Sequence, residues 1–99
     1  MLFAIISKDV EHSLPLRKTA RSEHLARLER LREEGRLVLA GPFPRVASED
    51  PGEAGFSGSL IIARFESQED AQVWAREDPY VAAGVYAEVT VKPFKQVLP

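Results

Sequence analysis

The chain reads as a small α+β domain whose elements run strand, helix, strand, strand, helix, strand. Three observations predict this. Apolar runs with little polar alternation stand at 2–6, 36–43 and 59–65, apolar residues at helical spacing follow Ser22 and Ser67, and a period-2 alternation begins at Val85.

Leu2 to Ile6 has the pattern of a strand buried on both faces. A polar stretch containing Pro15 follows, and Ser22 offers an N-cap for the first helix. Leu25, Leu28 and Leu31 then recur on one face, with Ala26 at its margin. Glu23 and Arg27 form an i,i+4 pair on the other side, and Gly35 stops the helix. Arg36 to Phe43 is the second strand, ended by Pro42 and Pro44. The stretch from Arg45 to Gly58, rich in Gly, Pro, Ser and acidic residues, reads as a long loop. Ser59 to Phe65 is the third strand. Ser67 and Asp70 make a capping box, and Ala71, Trp74 and Ala75 supply an apolar helix face until Asp78-Pro79 breaks the helix. Val85, Ala87, Val89 and Val91 then alternate with Tyr86, Glu88, Thr90 and Lys92 in a last strand expected to continue through Phe94 and Val97. Both β-α-β crossings favour the right-handed route, which sets both helices on one face of a four-stranded antiparallel sheet. This is the ferredoxin-like plan.

The strands are apolar at both parities, and that has a consequence for assembly. Two helices cover one face of the sheet, so a monomer needs a polar second face. Leu2 to Ile6, Leu37 to Leu39 and Leu60 to Ala63 do not provide one. A second sheet is therefore expected to dock there, most simply that of an identical chain about a two-fold axis. The alternative is that loop 44–58 or the C-terminal tail folds beneath the sheet.

Length and composition narrow the functions. The 99 residues suit one domain spanning 1–99. Lys and Arg number 13 against 15 Asp and Glu, interspersed, so there is no basic stripe to hold nucleic acid or an anionic membrane. The absence of cysteine removes disulfides, thiolate chemistry and Cys-ligated metals. No apolar segment approaches the roughly 20 residues that span a bilayer, and the apolar start lacks a leader's cationic flank. Together these features point to the cytoplasm.

Few residues are candidates for chemistry. Of the two histidines, His12 lies in a polar loop and reads as solvated surface. His24 falls in the first turn of the helix expected from Ser22, on the inward face with Leu28 and Leu31. A positive helix end would favour a neutral imidazole there, suited to a general base. The alternative is a histidine bonded to backbone at the core rim. Asp78, on a stiff turn before Pro79-Tyr80, could orient such an imidazole or be ordinary turn chemistry. Arg17 and Arg21 could bind a substrate anion. The recurrence of Gly52, Gly55 and Gly58 lacks the spacing of a phosphate loop, and no metal-ligand spacing exists.

Several stretches are together more specific than any of these. Arg21-Ser22-Glu23-His24-Leu25, Gly35-Arg36-Leu37 and Ala40-Gly41-Pro42 resemble the first half of the YciI-like (YCII-related) family. Asp50-Pro51-Gly52, Gly55 to Ser59, Ala71-x-x-Trp74, Asp78-Pro79-Tyr80, Ala83-Gly84-Val85 and Val91-x-Pro93-Phe94-Lys95 resemble the second. The resemblance implies a ferredoxin-like protomer in a dimeric α/β barrel, with His24 and Asp78 as a catalytic pair. It also implies that Arg21, Gly41, Pro42, Ser59 and Tyr80 line one substrate pocket. The activities it implies are eliminations and isomerisations of small cyclic compounds, including a dehydrochlorination. The expected protein is thus a lyase or isomerase using a His–Asp dyad, with no metal and no organic cofactor. The rival is a non-catalytic ligand-binding or accessory module.

Overall fold

The computed structural model describes residues 1–99. Four strands, β1 (Leu2–Asp9), β2 (Leu37–Pro44), β3 (Phe56–Arg64) and β4 (Tyr86–Phe94), form one antiparallel sheet in the order β2-β3-β1-β4. Helices α1 (Leu14–Glu33) and α2 (Gln68–Arg76) pack on the same face of it, and a short helix α3 (Pro79–Ala82) follows α2. The arrangement is ferredoxin-like, as the sequence predicts. No helix is long and apolar enough to cross a membrane.

Strand alternation decides what meets the helices. Phe3 and Ile5 of β1 and Ile61 and Ala63 of β3 face inward. They close on Leu28 and Leu31 of α1 and Ala71 and Ala75 of α2. The alanines bring α2 close to the sheet, and Phe65 fills the end of the layer with Trp74 against it, ring centroids 5.7 Å apart. On the opposite face Leu2, Ala4 and Ile62 form a small cluster with Leu60, while Ile6, Leu39 and Phe43 remain exposed. Across β2, β3 and β1 that face is largely apolar and only partly covered, while Lys8, Glu88, Thr90 and Lys92 make its β4 side polar.

Helix ends follow local chemistry. Ser67 accepts a hydrogen bond from the Asp70 N–H at 3.0 Å and opens α2, as its capping box requires. After α1, Gly35 at φ 72° lets the Arg36 N–H reach the Leu31 carbonyl while its own N–H reaches that of Arg32, a Schellman stop.

Several boundaries depart from expectation. Helix α1 begins at Leu14, with Ser13 at its N-cap position and Pro15 in its first turn, rather than at Ser22. The early inward positions are polar (Arg17, His24), so the apolar periodicity that marks a helix is missing from its first half. Arg27 does not pair with Glu23; its guanidinium lies 4.2 Å over the Trp74 ring and donates to the Trp74 carbonyl. Pro42 does not end β2, because β2 is an edge strand where a missing N–H is tolerated. Strand β3 begins at Phe56, three residues before Ser59, and the preceding loop contains a 3-10 turn at Gly52–Ala54. Strand β4 ends at Phe94, leaving Val97 exposed beyond it.

A close approach explains one glycine. Gly58 pairs with Lys8, and a Cβ there would overlap the Ser7 carbonyl oxygen. Gly58→Ala should therefore lower stability by about 1–3 kcal/mol, read as a lower urea midpoint. An unchanged midpoint would mean that the β1–β3 pairing yields without strain.

Candidate active site

Helix α1 carries a stripe of side chains toward the sheet: Arg17, Ala20, His24, Leu28 and Leu31. Its second half is core. Its first half turns polar groups into the domain, and there a cavity of about 330 Å³ opens between α1 and strands β2 and β3.

His24 stands on the helix wall of this cavity and is buried. Its Nδ1 lies 2.9 Å from each carboxylate oxygen of Asp78, itself buried. Asp78 sits between α2 and α3 and is the N-cap of α3, accepting the Tyr80 N–H at 2.9 Å. Pro79 occupies the first turn, where its missing N–H leaves no helix bond unmade. Tyr80 then slides under the imidazole, ring centroids 4.0 Å apart and planes 9° apart. A carboxylate on Nδ1 fixes the tautomer with hydrogen on Nδ1 and the lone pair on Nε2, which no protein group engages.

His24 therefore lies in the middle of α1 and not in a first turn. The helix N-terminus is about 15 Å away at 1.5 Å per residue, too far for its dipole to act on the ring. Asp78 supplies the orienting interaction instead, brought there by the packing of α3 on α1 through Ala20, Tyr80, Val85 and Leu16.

A second polar network backs the cavity. Arg17 grips the Asp9 carboxylate through Nε at 2.7 Å and Nη2 at 2.9 Å, and Ser13 Oγ donates to the same carboxylate. Arg17 Nη2 also donates to the Gly58 carbonyl and to Ser59 Oγ, each at 3.0 Å. The Tyr86 hydroxyl bonds Ser59 Oγ at 3.0 Å, and the Tyr86 ring meets Tyr80 edge-on. Burial opposes the Arg17 charge, but the hydrogen bonds and attraction of Asp9 outweigh it and raise its pKa. Burial pushes the Tyr86 phenol up to about 12. Burial also raises the pKa of Tyr80, opposed by Arg17 and Arg21.

Of the sequence-predicted residues, Arg21, His24, Gly41, Pro42, Ser59 and Tyr80 all line the cavity, and Asp78 stands behind His24. His12 is exposed and apart, in a turn at φ 55°. Sequence reasoning missed Asp9, Ser13, Lys18, Phe56 and Tyr86. Asp9 had a signal, since Phe3, Ile5, Ser7 and Asp9 share one strand parity. Tyr86 had none: a bulge pairs Lys8 with Glu88 but Asp9 with Tyr86, so Ala87 is skipped and Tyr86 turns to the helix side. No three His, Asp or Glu side chains gather as they would around a metal ion. A larger, open depression of about 660 Å³, bordered by Arg36, Arg64, Glu69 and Trp74, shares no lining residue with this cavity.

The model of the YCII-related domain matches residues 1–95. The chain belongs to the YCII-related family. Protein YciI of Escherichia coli is 60% identical over 97 residues, covering 98% of this chain and 99% of that protein. An uncharacterised Haemophilus influenzae member is 52% identical over 97 residues, with the same coverage. Among solved structures, the chain is similar to 5-chloro-2-hydroxyhydroquinone dehydrochlorinase from Burkholderia phenoliruptrix AC1100 in complex with 2,5-dihydroxybenzoquinone. The TM-score is 0.83 at 30% identity, over 96% of this chain and 94% of that one.

Two stability outcomes follow from the buried network. Arg17→Met would strand the Asp9 carboxylate, whose side chain has no exposed surface, and should cost about 3–5 kcal/mol in urea unfolding. Adding Asp9→Asn to Arg17→Met should recover part of that loss. The Tyr86 phenol is raised from 10.0 to about 12, so between those values the folded state binds more protons than the unfolded. Its contribution is complete below pH 10 and is lost as pH climbs toward 12, on the order of 2 kcal/mol. Tyr86→Phe should flatten that part of an alkaline stability profile; an identical slope would assign it to other groups.

Proposed function

We propose that the protein is an enzyme of lyase or isomerase type that moves a proton on a small cyclic molecule, with His24 as the acid–base group. The observation that carries this reading is the His24–Asp78 contact, which leaves Nε2 open on a cavity of single-ring size. The likeness to a dehydrochlorinase over nearly the whole of both chains supports the same class of reaction.

The chemistry needs little beyond the dyad. Nε2 takes a proton from a ring carbon or hydroxyl, and the electron pair left behind becomes a new double bond. In an elimination the leaving group departs with its own bonding pair. In an isomerisation the imidazolium returns the proton at another position. Asp78 holds the ring in register and offsets the charge that develops on it, as the carboxylate does in a triad. Tyr80 beneath the ring restrains its tilt.

The exposed sheet face fits a second copy of the chain. Ile6, Leu39 and Phe43 lie there beside the cluster of Leu2, Ala4 and Ile62. Burying about 800 Å² per subunit of such a surface is the usual scale of a stable interface. Sedimentation should find a dimer at micromolar concentration, and Leu39→Lys should shift it toward monomer; a wild-type monomer would remove the pairing.

5-Chloro-2-hydroxyhydroquinone, named for the structural neighbour, is the first compound to assay, followed by other halogenated or hydroxylated rings. On any compound turned over, His24→Ala should lower kcat by about 100-fold or more with the fold intact, and Asp78→Asn by less. Unchanged turnover in His24→Ala would exclude the dyad. Binding without turnover of any ring compound would favour the rival reading of a ligand-binding module.

A further inference from the structure

We propose that the cavity selects an anion: a small planar ring bearing a negatively charged oxygen, drawn by Lys18 and Arg21 and seated by Ser59. This deepens the reading above and rests on it, since the ligand is taken to be the molecule on which His24 acts.

The charged side chains that line the cavity are all basic, and the carboxylates of Asp9 and Asp78 stand behind Arg17 and His24. The chain as a whole carries −2, yet the cavity is lined by Arg17, Lys18 and Arg21 and by no Asp or Glu. Arg17 is already neutralised by Asp9. Lys18 and Arg21 are not: both are exposed at the mouth, and the ion pairs of the chain involve other residues. They stand three residues apart on one face of α1, where like charges repel and weaken the helix. A bound anion would relieve that repulsion.

Ser59, on the sheet wall, supplies the direction. Its oxygen has two lone pairs, and two donors lie at 3.0 Å: Arg17 Nη2 and the Tyr86 hydroxyl. With both lone pairs engaged, the one capacity left to Ser59 is to donate its own hydrogen. Because Ser59 lines the cavity, that hydrogen is available to a ligand oxygen. The Tyr86 phenol keeps its hydrogen throughout the neutral range, as phenols do, so it can donate to Ser59 there. Leu25, Leu28, Phe56 and Ile61 give the cavity apolar walls for a ring, and about 330 Å³ is at the small end of ligand pockets.

Benzoate and benzamide have nearly one shape and differ by one charge, so they isolate the selection. Calorimetric titration of the whole protein at low salt should give benzoate about tenfold tighter binding than benzamide, a preference that shrinks as salt is added. Lys18→Gln combined with Arg21→Gln changes only exposed side chains and should reduce that preference severalfold. Ser59→Ala should weaken both ligands, and His24→Ala should keep the preference. Equal affinities in the wild type, no benzoate binding up to about 10 mM, or a preference unaltered in the Lys18/Arg21 variant would overturn the proposal. A retained preference together with full turnover by His24→Ala would sink the dyad and leave the anion site standing. Loss of the preference with turnover still dependent on His24 would do the reverse.

Discussion

Asp78 accepts hydrogen bonds from two directions, from the Tyr80 N–H that opens α3 and from Nδ1 of His24 in the middle of α1. One carboxylate thereby joins segments 54 residues apart in the chain. Pro79 keeps Asp78 extended, at φ −61° and ψ 130°, which aims its side chain back over the first turn of α3. Without that cap α3 would lose its start, Tyr80 would lose its place beneath the imidazole, and the imidazole would be free to turn. The geometry of the candidate site thus depends on a helix cap that also serves as a ring clamp.

The second network solves a different problem, that of stabilising a charged group inside a thin domain. Burying Arg17 alone would be prohibitive, and burying it with Asp9 is tolerable because every contact is bidentate or shared. The pair ties β1 to α1 and, through Gly58 and Ser59, to β3. It also consumes apolar surface that a more stable core would have used. Polar groups in the core at this end of α1 and apolar ones at the other divide the molecule into an end that holds the candidate site and an end that holds the main apolar core.

The open sheet face belongs to the same logic. The two helices and the short α3 occupy one side, and the domain has no further element for the other. Its apolar residues, the cluster of Leu2, Ala4 and Ile62 with Ile6, Leu39 and Phe43 beside it, are the surface that the proposed second copy would cover.

The order of strands and helices was legible in the chain, because apolar runs, the Ser67 cap, the Gly35 stop and the alternation of Val89 and Val91 are local signals. Around the cavity, Arg17, Arg21, His24 and Asp78 stood out as residues at their positions, whereas Gly41, Pro42, Ser59 and Tyr80, and the pairing of His24 with Asp78, entered only through family resemblance. The first half of α1 escaped notice because its inward face is Arg17 and His24, and a polar buried stripe removes the periodicity by which a helix is recognised. Tyr86 escaped because a bulge reverses strand parity with no mark in composition. What tertiary structure alone decided was which polar groups meet: His24 with Asp78, Arg17 with Asp9 and Ser59. His24–Asp78 and Arg17–Ser59 span 54 and 42 residues of sequence and Arg17–Asp9 only 8, yet none leaves a local mark, because it is the packing of α1 and α3 on the sheet that brings the partners within hydrogen-bond reach.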